Sequence, residues 1–151
     1  MYHLLQKTND YTYLPYIGFV ITIFSALRLA KFNTDDRQTE DFIGLNTPMN
    51  TLFIISLPFI GRDYPGIIYN PYVLFGIIAV NSYLLISEIR IFSMKLKDTS
   101  WAANQMKYLF LICSLILGMA LKFIAIPFIL ALYIVFSIIH FNKMDKKKKY
   151  N

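Results

Sequence analysis

Five apolar runs, each bounded by polar or charged residues, constrain this chain more than any other feature. They fall at about 12–30, 45–60, 71–87, 106–121 and 123–141. A helix needs about 20 mostly apolar residues to cross the hydrocarbon of a bilayer. The runs therefore predict an all-α integral membrane protein with about five transmembrane helices. Residues 1–151 read as a single membrane domain that ends in a basic tail at 142–151, and the whole is expected to be the C-terminal portion of a larger protein. Composition agrees: 56% of the residues are hydrophobic, above the roughly 45–50% of a soluble domain. The second run is the shortest and contains Pro48 and Pro58. Pro48 falls at the start of its helix, where a missing N–H costs little. The fourth and fifth runs meet at Lys122, which predicts a tight helical hairpin.

Loop charges give these helices a direction. Lys7 precedes the first run; Arg28, Lys31 and Arg37 close it or follow it. Arg62 alone follows the second, and Arg90, Lys95, Lys97 and Lys107 follow the third. Lys122 marks the hairpin, and five lysines lie in the tail. Basic residues alternate between poor and rich, so the positive-inside rule places the N-terminus outside and the C-terminus in the cytoplasm. Tyr11, Tyr13, Tyr16, Tyr64, Tyr69 and Tyr72 lie near the expected outer interface, as an aromatic belt does. The net charge of +6 is concentrated at the tail, which reads as an anchor facing anionic lipid and not as a nucleic-acid surface. Residues 1–11 are polar and lack the basic start and short apolar core of a cleavable signal peptide.

Residues 88–105 differ from the other loops. Ile89, Phe92 and Leu96 form one apolar stripe among Arg90, Ser93, Lys95 and Lys97, and Trp101 suits the headgroup level. The expectation is an interfacial segment on the cytoplasmic face between helices three and four. The alternation in Lys95-Leu96-Lys97 also suits a short extended piece. Asn81 and Ser82, mid-way along the third run, are expected to hydrogen-bond a neighbouring helix. Gly76 and Gly118 are expected at close helix contacts, and the single Cys113 in packing.

Few residues offer chemistry. Arg28 lies near the cytoplasmic end of the first run, where an arginine is expensive unless it snorkels or pairs. Its planar fork suits phosphate or carboxylate oxygens. Arg28 and Lys31 read either as positive-inside anchors or as contacts for an anionic substrate. Asp35, Asp36, Glu40 and Asp41 invite a metal-site reading, but adjacent aspartates diverge on a helix and a solvated polar loop is the stronger expectation. His3 and His140 are predicted on opposite faces of the membrane. No glycine-rich phosphate loop, nucleophile elbow or zinc spacing is present. The charges collect at the ends of the runs, unlike a transporter's mid-bilayer charges.

Three segments, in order, resemble the phosphatidylserine synthases of the CDP-alcohol phosphatidyltransferase family. Ala26-Leu27-Arg28-Leu29-Ala30-Lys31-Phe32-Asn33 is similar to their ALRLARFN segment. Phe42-Ile43-Gly44-Leu45-Asn46-Thr47-Pro48 is similar to their F-x-GLPTP loop, with Asn46 in place of a proline. Leu84 to Ser93 is similar to their LMVSRIPTFS segment, with Glu88 where an arginine often falls and Arg90 two residues on.

The resemblance implies a bacterial inner (cytoplasmic) membrane enzyme of phospholipid biosynthesis. The family transfers a phosphatidyl group from CDP-diacylglycerol to serine and releases CMP. It does so with divalent metal, magnesium or manganese, held by aspartates in the pattern D-x2-D-G-x2-A-R-x8-G-x3-D-x3-D. This chain has neither an Asp-Gly nor an Ala-Arg dipeptide. The expectation is therefore the C-terminal portion of such an enzyme, without the catalytic helices and with the metal ligands elsewhere. By resemblance, Arg28 and Asn33 face the substrate cavity, Gly44 and Thr47 shape the loop beside it, and Arg90 lies on the lipid-phosphate side. No catalytic or metal residue is assigned to this chain, which alone is expected to be inactive. The expected partners are membrane lipids, missing N-terminal helices or a second copy in a homodimer. The alternatives are a non-enzymatic membrane subunit or remnant, or a family member with another alcohol acceptor.

Overall fold

The computed structural model describes residues 1–8, 13–35, 41–94 and 101–150, of which 101–103 and 147–150 are described by main chain alone. The elements run α1 Tyr2–Gln6, a 3-10 turn at Leu14–Phe19, α2 Val20–Thr34, β1 Phe42–Ile43, α3 Thr47–Asp63 and α4 Pro65–Ile68. They continue with α5 Pro71–Ile86, β2 Arg90–Ile91, α6 Trp101–Leu121, a 3-10 turn at Lys122–Ile124 and α7 Ala125–Tyr150. Helices dominate, and a helix lies at each of the five predicted positions. Two stretches are long and apolar enough to cross a membrane: Leu14–Thr34, and the run Asn104–Lys146 through α6, the turn and α7. Only 22% and 11% of their apolar windows are buried. The core helix of a soluble protein hides its apolar face. Here Ile23, Leu27, Ile112, Leu115 and Met119 stand exposed, as lipid permits and water does not.

Local chemistry sets the helix ends. Asn46 caps α3: its side chain accepts from the Met49 N–H at 2.9 Å, with Pro48 in the first turn. Asn70 caps α5 in the same way, accepting from Tyr72 N–H at 2.9 Å beside Pro71. Pro58 removes a donor within α3, yet the helix runs on to Asp63. Lys122 takes φ 50°, the left-handed region, and turns the chain between α6 and α7. Phe110 of α6 then packs against Tyr133 and Phe136 of α7, with ring centroids 5.3 and 6.3 Å apart. The expected hairpin is present. The tail expected at 142–151 instead continues α7 as helix to Tyr150.

Contacts sort the connections onto two ends. At one end, Lys7 Nζ lies 5.9 Å from the Tyr69 ring, and Phe59 stacks on Phe123 at 4.3 Å. The N-terminal segment, the α3–α5 connection and the α6–α7 hairpin therefore share that end. At the other, β1 pairs antiparallel with β2, Phe42 opposite Ile91 and Ile43 opposite Arg90. Arg90 reaches Asp145 at 3.3 Å, which brings the last turns of α7 there too. The described connections thus divide between two ends of the bundle.

Four expectations need correction. Residues 88–94 are not an interfacial stripe: Arg90–Ile91 is a strand, and Ile91 and Phe92 are buried beneath the helix bundle. The reason is a set of hydrogen bonds from α7, described below. Leu96 and the Lys95-Leu96-Lys97 alternation lie outside the described residues. Gly76 and Gly118 are not close-packing points, because an added Cβ at either meets nothing within 4 Å. That role belongs to Gly18, where a Cβ would stand 2.9 Å from Tyr2 N. Gly18 lets α1 dock, burying Leu4 and Leu5 in a segment that read as a polar tail. Asn81 Nδ2 donates to Ile77 O at 2.9 Å within its own helix, not to a neighbour.

Candidate functional site

The polar residues that converge do so at the β1–β2 end. Arg28, in the third turn of α2, is only 5% exposed. Its guanidinium carbon lies 5.0 Å from the centre of the Phe32 ring and 5.5 Å from that of Phe42. Both contacts are favourable for a cation over aromatic faces. Nε and Nη2 are nevertheless buried without a hydrogen-bond partner. These two atoms form one edge of the fork, the edge that grips a carboxylate or phosphate in bidentate fashion. Tyr133 of α7 is an electrostatic neighbour of Arg28, and Asp41 of Tyr133.

A clamp from α7 builds the floor. The Tyr133 hydroxyl donates to Phe92 O at 2.7 Å, and Phe92 N–H donates to Ser137 Oγ at 3.4 Å. Tyr133 and Ser137 lie one turn apart, so both reach the same residue of the 87–94 segment. Asn46 Nδ2 donates to the Tyr133 hydroxyl at 3.4 Å, which ties the start of α3 to α7. The Phe92 ring is edge-on to Phe110, Tyr133 and His140 at 6.0, 5.2 and 6.0 Å. Ser93 N–H donates to Asp41 Oδ1 at 3.0 Å and closes the strap from the other strand.

Gly44 explains how the chain passes from β1 into α3. Its φ is +78°, and an added Cβ would stand 2.6 Å from Leu85 O and 2.9 Å from Ser87 O. Its N–H donates to Ile89 O and that of Leu45 to Leu84 O, both at 2.8 Å. The second bond occupies a carbonyl at the end of α5, which the helix itself leaves open.

Of the expected site residues, Arg28, Gly44 and Thr47 lie at this end of the bundle, and Thr47 Oγ1 is buried without a partner. Asn50, one turn after Asn46, is buried with Oδ1 unpartnered as well. Asn33 is exposed; five residues after Arg28, it is about 140° around the helix from it. Arg90 is exposed and turned to α7, over the Phe141 ring at 4.1 Å and paired with Asp145. Lys31 pairs with Glu88 on the surface. Sequence reasoning passed over Tyr133, Ser137 and Asn50. The available signal was a pair of polar side chains at i and i+4 inside the last apolar run.

An apolar cleft of about 410 Å³ lies between α3, α5 and α7, lined by Phe53, Gly76, Asn81, Pro127 and Leu130 among others. It brings no charged group together. The resemblance implies a divalent metal with its ligands outside this chain. Among the described residues, no three His, Cys, Asp or Glu side chains converge, and Asp41 is engaged by Ser93 N–H. Asp36 and Glu40 of the acidic cluster lie outside those residues. No protein-family model, curated protein or solved structure matches this chain.

Proposed function

We propose that the chain is an integral membrane component of a phosphatidylserine synthase-like CDP-alcohol phosphatidyltransferase. Five helices cross the bilayer, with the N-terminus outside and the β1–β2 end in the cytoplasm. The chain supplies an anion pocket centred on Arg28, which holds the serine carboxylate or a phosphate of CDP-diacylglycerol. The observation that carries this reading is the unpaired edge of a buried arginine. An unpartnered guanidinium next to hydrocarbon is costly, and an anion bound side-on satisfies both N–H groups at once. Loops rich in basic residues at the same end support the cytoplasmic orientation.

Phosphoryl transfer needs groups that neutralise developing charge. The aspartate pattern that does this in the family is not within these 151 residues. The transferase centre is therefore completed by a segment or polypeptide that carries that pattern, and this chain alone releases no CMP. The test begins with the DNA next to the coding region and with proteins that co-purify with the chain. Membranes holding the chain and such a partner should form labelled lipid and CMP from CDP-diacylglycerol and labelled serine. Arg28→Ala should abolish both. Turnover unaffected by Arg28→Ala would remove the pocket from the reaction. Lack of any partner with the aspartate pattern would favour a non-enzymatic membrane subunit.

A further inference from the structure

We infer that α5 and α7 form a seat for one phospholipid whose head group carries a primary ammonium, with an acyl chain in the cleft between them and the head group at the β1–β2 end. The inference rests on the membrane-spanning part of the proposed function and is independent of the transferase reading. Two cavities carry it. The first is the apolar cleft of about 410 Å³, which runs from Val73 to Leu84 along α5 and from Pro127 to Ile134 along α7. The second is a polar cavity of about 240 Å³, lined by Glu88, Arg90, Asn142 and Asp145 together with Ile138 and Phe141. The two lie on one groove. On α7 the cleft takes Pro127, Ala131 and Ile134, and the cavity takes Ile138, Asn142 and Asp145. Steps of three and four residues keep these on a single stripe of the helix. On the other wall, Leu84 ends the cleft just before α5 stops at Ile86, and Glu88 begins the cavity.

Shape and charge choose the occupant. The cleft is about 16 Å long at 1.5 Å per residue, so its mean cross-section is about 25 Å². A helix about 10 Å across needs about 80 Å², whereas a single hydrocarbon chain threads such a slot. Gly76 leaves its side open: the residue is exposed, and an added Cβ meets nothing within 4 Å. Asn81, the one polar residue in the lining, has its amide turned to Ile77 O at 2.9 Å. Lipid tails are as apolar as these walls, so the chain fills space and the head group decides which lipid stays. In the cavity, the Arg90 guanidinium lies 4.1 Å from the centre of the Phe141 ring and pairs with Asp145 at 3.3 Å. Arg90 and Asp145 are both about half exposed, so each can take a second partner. A phosphate suits Arg90 and Asn142, and an ammonium suits Asp145 and Glu88. Two carboxylates beside one arginine disfavour a head group that is only anionic, and a quaternary ammonium has no N–H to donate to them.

The test titrates the full chain, purified in detergent, with phosphatidylethanolamine, phosphatidylcholine and phosphatidylglycerol of equal chain length, and reads bound lipid by native mass spectrometry. Phosphatidylethanolamine should bind one per chain, about tenfold more tightly than the other two. Gly76→Phe fills the slot and should weaken binding about tenfold; if that variant does not fold, Ala131→Phe fills the slot from α7. Asp145→Asn should erase the preference for phosphatidylethanolamine over phosphatidylcholine while leaving phosphatidylcholine binding unchanged. Equal binding of the three lipids, tightest binding of phosphatidylglycerol, or binding indifferent to a filled slot overturns the seat. A dimer of the chain that Gly76→Phe dissociates would put a second copy in the cleft and overturn it too. Release of the chain from membranes by alkaline carbonate would refute the membrane reading itself; retention without a selective lipid refutes the seat alone.

Discussion

Tyr133→Phe is the sharpest probe of how the 87–94 segment is held. The substitution keeps the ring, so the edge-on contacts of Tyr133 with Phe92 at 5.2 Å and its contact with Phe110 at 5.3 Å remain. It removes one oxygen, and with it the 2.7 Å bond to Phe92 O and the 3.4 Å bond from Asn46. Tyr133 and Phe92 are each 1% exposed, so water does not replace the lost donor. A buried carbonyl deprived of its partner costs about 1–3 kcal/mol in soluble proteins. Hydrogen bonds between membrane helices average about 0.6 and reach about 1.7 kcal/mol. The short, buried bond belongs near the top of that range and the 3.4 Å bond adds little, giving an expected loss of about 1–1.5 kcal/mol. Ser137→Ala removes only the acceptor at 3.4 Å and a bond within its own helix; its cost should be about 0.5 kcal/mol. Both act on Phe92, so the double variant should lose less than the sum. Equilibrium unfolding in mixed micelles, followed by circular dichroism, measures all three. A Tyr133→Phe loss below about 0.3 kcal/mol, or strict additivity with Ser137→Ala, would refute the clamp.

Three further outcomes follow from the geometry. Gly44→Ala should cost more than about 2 kcal/mol, since the left-handed backbone alone costs about 1–2 and the new Cβ would stand 2.6 Å from Leu85 O; a drop in thermal unfolding temperature and in folded yield reads this out. Asn46→Ala should cost about 1 kcal/mol through loss of the α3 cap, with Asn46→Asp retaining most of it in the same unfolding measurement. Arg28→Met should be neutral or raise stability by about 1 kcal/mol, because an apolar group of similar length replaces an unpaired buried charge. The same variant should lose binding of serine, CDP or phosphate, and a large destabilisation instead would make Arg28 a structural residue.

The parts of the fold that were legible rest on chemistry local in sequence. Asn46 and Pro48, like Asn70 and Pro71, announce helix starts because capping and a fixed φ need only neighbouring residues. The apolar runs forecast where helices lie, because a helix needs only its own backbone hydrogen bonds. Lys122 between two apolar runs forecast the hairpin. Arg28 stood out as an arginine at the end of an apolar run.

The tertiary structure alone decided what those residues meet. Phe92 left the surface because Tyr133 and Ser137, more than forty residues on, bond its backbone. Leu4 and Leu5 joined the core because Gly18 gives α1 room to dock, a matter of a Cβ that is not there. Asn33 parted from Arg28 because five residues turn a helix by more than a third of a circle. Periodicity and capping fix which segments are helices, since those depend on solvent and near neighbours. Which side chains meet depends on how the helices pack, and packing is a property of surfaces that only the folded chain brings into contact.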